Sequence, residues 1–208
     1  MHLTNKDIHA LDKIKRLNII NSLTGIKPVN LIGSFSEEGG PNLAIISSAV
    51  HIGSNPPYIA FILRPGGEAT RHSYRNIKEN GLYTINHVHK SFIQNAHYTS
   101  AKFPFGVSEF EKCKLDEEYL QNFKAPFVKE SRIKIGMEYR EEVPIKVNDT
   151  MMIIGEVMHV FIPDEFINEE GYLDLEKAGS VGISGLNSYY DFEKKGDFPY
   201  ARVGELPF

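Results

Sequence analysis

The spacing of hydrophobic positions changes period several times along the chain, and each change marks an element. Between residues 5 and 20, Ile8, Leu11, Ile14 and Leu17 recur at three-residue steps with Lys and Asp between them, which predicts an amphipathic helix closed near "LTGIKP" by Gly25 and Pro28. Shorter apolar runs bounded by turn residues follow, the last of them with the alternation of a half-buried sheet. "VNLIGSF" (29–35), "GPNLAIISSAV" (40–50), "YIAFILR" (58–64) and "LYTINHV" (82–88) read as strands, the first two joined in a hairpin across the turn-rich "SEEGGP". "RHSYRNIKEN" (71–80) reads as a short helix stopped at Gly81, and "SFIQNAHYTSA" (91–101) as another. "KFPFGVSEFE" reads as an irregular connection and "CKLDEEYLQNF" as a polar loop or a marginal helix, after which "RIKIGMEYREEVP" and "TMMIIGEVMHVFIP" supply two long strands. Short strands at hairpin spacing, decorated by a few helices, predict a mainly β fold with helical additions; a β-barrel would remove exposed sheet edges.

One of these strands breaks the usual rule of composition. A pleated, half-buried surface is normally filled by β-branched or aromatic side chains. In residues 40–50, however, Asn42, Ala44, Ser47, Ser48 and Ala49 are small or polar. Something other than side chains is expected to occupy the space beside them.

Composition narrows the field. With 208 residues, 41% of them hydrophobic, the chain suits one domain: a helical extension over 1–26, a barrel core over 27–190 and a tail over 191–208. A net charge of −4 lacks the basic footprint of a nucleic-acid binder, so no nucleic-acid partner is expected. No apolar run reaches membrane-spanning length, no signal-peptide core is seen, and the single cysteine, Cys113, has no local partner. These features predict a cytoplasmic protein with no membrane partner, in which the glycosylation-type triplet Asn148-Asp149-Thr150 goes unused. The signatures of P-loop, Rossmann and α/β-hydrolase chemistry are missing.

Two clusters carry candidate chemistry. His87 and His89 lie two apart on a predicted strand, where both imidazoles could reach one metal ion. With Gly81 they resemble the first half of a cupin motif, but Phe92, Ile93 and Gln94 stand where that motif needs a Glu; the other reading is a pair of hydrogen-bonded histidines. The second cluster is a cationic island, Arg64, Arg71, Arg75 and Lys78 against Glu68 alone. It suits an anion, with Ser73 and the N–H groups of a helix start as phosphate donors; the alternative is an ordinary solvated helix face.

Taken in order, "KPVNLIGSFSEEGGPNLAIISSAV", "NPPYIAFILRP", "RHSYRNI", "YTINHV", "TSAKFPFGVSEFE", "APFVKES" and "IIGEVMHVFI" resemble the flavin reductase-like family of FMN-binding split β-barrels, over about Lys27 to Tyr190. The resemblance is nearest to reductase components of two-component monooxygenases and to flavoredoxin. It implies that Asn42, Ala44, Ser47, Ser48 and Ala49 run beside the flavin ring. Arg71, His72 and Ser73, with Arg64 from the same cationic island, would contact the FMN phosphate, and Asn86, Ser100 and Lys102 would lie near the ribityl phosphate or the ring edge. His51, His87 and Lys102 are candidates to face the ring's N1/O2 edge. The family's Gly-Asp-His motif is replaced here by Asn148, Asp149 and Thr150, which puts direct use of NAD(P)H in question. The resemblance further implies a homodimer, with the aromatic tail packed on a neighbour or back on its own barrel. Three functions stay open: an NAD(P)H:FMN oxidoreductase, feeding a monooxygenase or another electron-transfer partner; an FMN electron carrier of flavoredoxin type; and a cupin-like metal protein.

Overall fold

In the computed structural model, residues 1–65 and 72–204 are described. The N-terminal periodic stretch is two helices, α1 (Asn5–Ala10) and α2 (Lys13–Ser22), where the spacing predicts one. The break has a local cause. Asp12 Oδ1 accepts from the backbone N–H of Ile14 (2.9 Å) and Lys15 (3.2 Å), so Asp12 starts a new helix instead of continuing the old one. Neither helix buries a residue, and Ile14 is 60% exposed, so the apolar stripe does not serve the core.

The strands follow. β1 (Lys27–Pro28) is short; β2 (Asn30–Ser36) and β3 (Gly40–Ile46) form the expected hairpin, with Gly40 at φ +72° in its turn. The stretch 40–50 is not one strand: β3 ends at Ile46 and β4 (Val50–Ser54) begins after residues 47–49. β5 (Pro57–Leu63), α3 (His72–Asn80) and β6 (Leu82–His87) come next, α3 being stopped by Gly81 at φ +71°. A 3₁₀ turn at Lys90–Phe92 leads into α4 (Ile93–Tyr98). The segment read as irregular contains a helix, α5 (Glu109–Cys113), and the loop or marginal helix after it holds a two-residue strand, β7 (Glu117–Glu118), paired with β8 (Phe127–Val128). The long hairpin β9 (Lys134–Ile145) and β10 (Thr150–Phe161) and a final small hairpin, β11 (Val181–Ser184) and β12 (Ser188–Asp191), complete the order.

Seven strands form one antiparallel sheet in the order β3-β2-β6-β9-β10-β5-β4. β3 and β4 are its two edges, yet only residues 47–49 separate them in the chain. Flat, such a sheet would measure roughly 29 Å from edge to edge. Four peptide steps reach at most about 15 Å. The sheet is therefore rolled on itself, with a seam where the chain steps from one edge to the other. Ser48 pins that seam: its hydroxyl donates to Ile62 O (3.1 Å) and accepts from Ile62 N (3.0 Å) on β5. The interior is filled by Ile32, Phe61, Ile77, Tyr83, Ile85, Met137 and Ile153. A second cluster, including Val29, Leu31, Leu43, Phe92, Phe110 and Ile183, joins the sheet to α4, α5 and the β1-β11-β12 sheet. Glycine is required where strands approach closely: a Cβ on Gly155 would strike the Tyr83 hydroxyl, and one on Gly33 would strike Pro126 O.

Candidate functional site

A cleft of ≈ 540 Å³ opens at the seam, walled by β3, the 47–48 connection, the end of β5, the start of α3, the chain after α4, α5 and the β11–β12 turn. The rolled sheet explains its place. β3 has a partner on one side only, so its other edge is left for α5 and for the cleft. Leu43 N–H points outward along that edge and is taken by Glu109 Oε2 at 2.9 Å. By the period of two in an antiparallel edge, Ile45, which lines the cleft, presents its N–H in the same direction.

Of the residues singled out in the sequence, Asn42, Ala44, Ser47, Ser48, Arg64, His72, Ser73, Ser100 and Lys102 all line this cleft. Ala49 falls one residue past its wall, and Arg71 lies outside the described residues. Asn86 does not join the others. It is fully buried, donates to Leu31 O (3.1 Å) and Thr84 Oγ1 (2.8 Å), and accepts from Val128 N (3.0 Å), so its amide ties three strands of the core together. His51 and His87 are also outside the cleft lining. His87 Nδ1 lies 3.2 Å from Ser180 Oγ, and burial drives its pKa down to about 4. His89 instead accepts Ser91 N–H at 3.1 Å, and no group of three metal-ligating side chains occurs among the described residues.

The cationic island divides. Arg75 is paired with Glu79 (2.8 Å) and Glu38 (3.4 Å), and Lys78 with Glu142 (3.3 Å) and the Tyr139 hydroxyl (2.8 Å), so both charges are spent away from the cleft. Arg64 and Lys102 stay at its rim. Arg64 donates to Asn21 Oδ1 (2.8 Å), and among the described residues neither cation has a carboxylate partner. Deeper in, Asn42 Nδ2 donates to Ser73 Oγ (2.9 Å) and lies 3.5 Å from Ser34 Oγ, which also receives Asn76 Nδ2 (3.2 Å). Ser73 is the second residue of α3, where unpaired helix N–H groups and the helix dipole favour an anion.

Of the titratable residues that line the cleft, three are not singled out by the sequence. Glu109 is buried, and burial pushes its carboxyl above the usual range against the opposing hydrogen bond from Leu43 N. Tyr189 and His97 close the far wall, the phenol 3.0 Å from His97 Nδ1 and its pKa raised to about 12 by burial. The doubled tyrosine in "SYYD" carries a trace of this, since strand alternation turns one of the two inward. Cys113 is buried beside Glu109, and both effects push its thiol up, which leaves it unreactive.

A family model described as flavin reductase like domain matches residues 25–178. A solved structure from Shewanella frigidimarina NCIMB 400, assigned as a flavin reductase with split barrel domain, is 43% identical, covers 97% of this chain and 100% of its own, and superposes with a TM-score of 0.92. Nitrilotriacetate monooxygenase component B from Bacillus cereus shares the fold at TM-score 0.82 and 18% identity, over 95% of this chain and 98% of its own. Flavoredoxin of Desulfovibrio vulgaris (Miyazaki F) does so at TM-score 0.70 and 23% identity, over 87% and 93%.

Proposed function

Since the chain belongs to the flavin reductase-like family, we propose that it is an FMN-binding oxidoreductase that moves electrons between NAD(P)H and flavin, with FMN held in the cleft at the seam. One observation carries this reading: a single cleft combines a wall too small to fill its own space, Ala44, Ser47 and Ser48, with a polar and cationic end at Ser73, His72 and Arg64. A flat ring with a phosphate tail needs that division. The residues fit the group. Ser73, His72 and Arg64, with Arg71 from outside the described residues, would hold the phosphate at the start of α3. The small wall would face the ring, and Ile45 N–H and Lys102 would offer donors to its polar edge.

Flavin, when bound, supplies the redox chemistry. The chain's own task is to bind, orient and shield it from water. Cationic and N–H donors facing the cleft would favour the electron-rich reduced form, as preorganised donors favour any developing anion.

A second reading rests on a specific turn. Asn148, Asp149 and Thr150 close the β9–β10 hairpin, where Asn148 Oδ1 accepts from Thr150 Oγ1 (2.8 Å) and Thr150 N (3.3 Å), and the turn lies outside the cleft lining. This favours an FMN carrier of flavoredoxin type, reduced by another protein. We also propose a cytoplasmic homodimer serving a monooxygenase or a similar electron acceptor. The exposed apolar residues Val50 and Ile52 on β4 and Met158 and Val160 on β10 support the dimer. The tail leaves Phe198 and Tyr200 each 87% exposed, which favours its packing on a neighbour over packing on its own sheet.

The test is a visible absorption spectrum of the purified protein with added FMN, repeated anaerobically after NADH and then NADPH. Rapid bleaching is expected of the oxidoreductase. A flavin spectrum that persists until a chemical reductant is added would select the carrier, and failure to bind FMN would overturn both.

A further inference from the structure

We infer that Asn42 is a positioning residue: it orients the Ser73 hydroxyl so that its proton is donated into the cleft, and so helps the site prefer a phosphate-bearing flavin over one without phosphate. The inference rests on the flavin reading above. It moves Asn42 from the ring segment, where the sequence resemblance puts it, to the phosphate end.

Donor counting fixes the direction of the Ser73 hydroxyl. An amide N–H can only donate, so at the 2.9 Å contact between Asn42 Nδ2 and Ser73 Oγ the hydroxyl must be the acceptor. Its own proton then needs an acceptor elsewhere. The described residues offer none, and Ser73 lines the cleft while being only 8% exposed. Among the described residues, the direction open to the proton is the cleft. Asn42 is itself held: it is 9% exposed, faces Ser34 across the β2–β3 hairpin in register, and shares Ser34 Oγ with Asn76 of α3. Four side chains from three elements are therefore arranged before any ligand arrives. A hydroxyl already aimed at a phosphate oxygen makes its charge-assisted bond without first giving up another partner.

The experiment compares dissociation constants for FMN and riboflavin in the wild type, Ser73→Ala, Asn42→Ala, Asn42→Asp and the double variant Asn42→Ala/Ser73→Ala, with thermal unfolding of each. Ser73→Ala is expected to weaken FMN about tenfold and leave riboflavin unchanged, the loss of one hydrogen bond to a charged group. Asn42→Ala should follow in the same direction by a few-fold. Asn42→Asp should weaken FMN at least as much as Ser73→Ala, because a carboxylate takes the Ser73 proton for itself and adds negative charge. The double variant should be no weaker than Ser73→Ala alone, since Asn42 then has nothing to orient. A loss of FMN and riboflavin in equal measure on Asn42→Ala, or full additivity in the double variant, would overturn the inference. Should Asn42→Ala fail to fold, the near-isosteric Asn42→Asp carries the same comparison. An unaffected FMN constant in Ser73→Ala would overturn the inference while leaving the flavin reading standing; a wild type that binds neither flavin would remove both.

Discussion

The edge strand β3 and the central strand β6 each carry an asparagine that the sequence marks as a flavin ligand, and they have opposite fates. Asn86 in β6 has strands on both sides, and its amide is spent on Leu31 O, Thr84 Oγ1 and Val128 N. Asn42 in β3 has a strand on one side only, and its Oδ1 has no partner among the described residues while its Nδ2 reaches Ser73 at the cleft. A central position must satisfy its polar groups internally, because water cannot reach them. An edge position can leave them for a ligand. Strand position, not residue type, separates the asparagine spent inside the core from the one that lines the cleft.

The largest effect should come from breaking the central side of this comparison. Asn86→Ala strands a backbone N–H and removes two further hydrogen bonds in a site without solvent, and should cost about 4 kcal/mol in urea denaturation. Asn42→Ala, beside an open cleft where water can replace the lost partner, should cost about 1 kcal/mol. Equal losses would mean that the edge is as structural as the centre.

The next effect also belongs to the end of β6. His87 is held neutral by burial, with its pKa depressed to about 4. In the unfolded chain it binds a proton near pH 6.5, so between those values the unfolded state holds more protons and stability falls as pH falls. The full window corresponds to at most about 3 kcal/mol. The loss begins near pH 6.5 and is complete near pH 4, and His87→Gln should flatten that limb of a stability-against-pH curve by one proton. An unchanged slope would show that His87 is already solvated in the folded state.

β2, β5, β6, β9 and β10 lie within a few residues of their expected limits, because apolar runs bounded by turn residues mark buried strands directly. The small wall at Ala44, Ser47 and Ser48 stands out in a stretch that reads as strand, although Ser47 and Ser48 lie in the connection after β3. The N-terminal helix was misread because Asp12 caps more strongly than the apolar period propagates. The fate of the cations was only partly readable: Glu79, four residues on in α3, is within local reach of Arg75, but Glu142, which takes Lys78, comes from far along the chain, and Arg64 is left at the cleft. Glu109 and Tyr189 reach the site from elements whose pairing no local pattern announces.

The small wall offers a sharper cut between binding and stability. Ala44→Leu adds bulk that the cleft can take without repacking the core, so stability should change by under about 1 kcal/mol. FMN and riboflavin should both weaken by more than about tenfold, roughly 1.4 kcal/mol each, because the ring is common to both. Loss of FMN alone, read by fluorescence titration, would place the ring elsewhere.

The smallest effect concerns the acid that holds β3 to α5. Burial raises the carboxyl pKa of Glu109, so the folded state holds its proton more tightly than the unfolded chain does. The linked stability is full below the ordinary carboxylate range and declines as pH rises through the folded value. Glu109→Gln keeps an oxygen to accept Leu43 N–H and removes the ionisation. Its melting temperature should therefore match the wild type at low pH and equal or exceed it by a few degrees at pH 8, the part of the range where the wild type has a charge buried. A constant offset at every pH would assign Glu109 a packing role alone. A variant that loses stability only at high pH would mean that the charged form is the one the edge of β3 prefers.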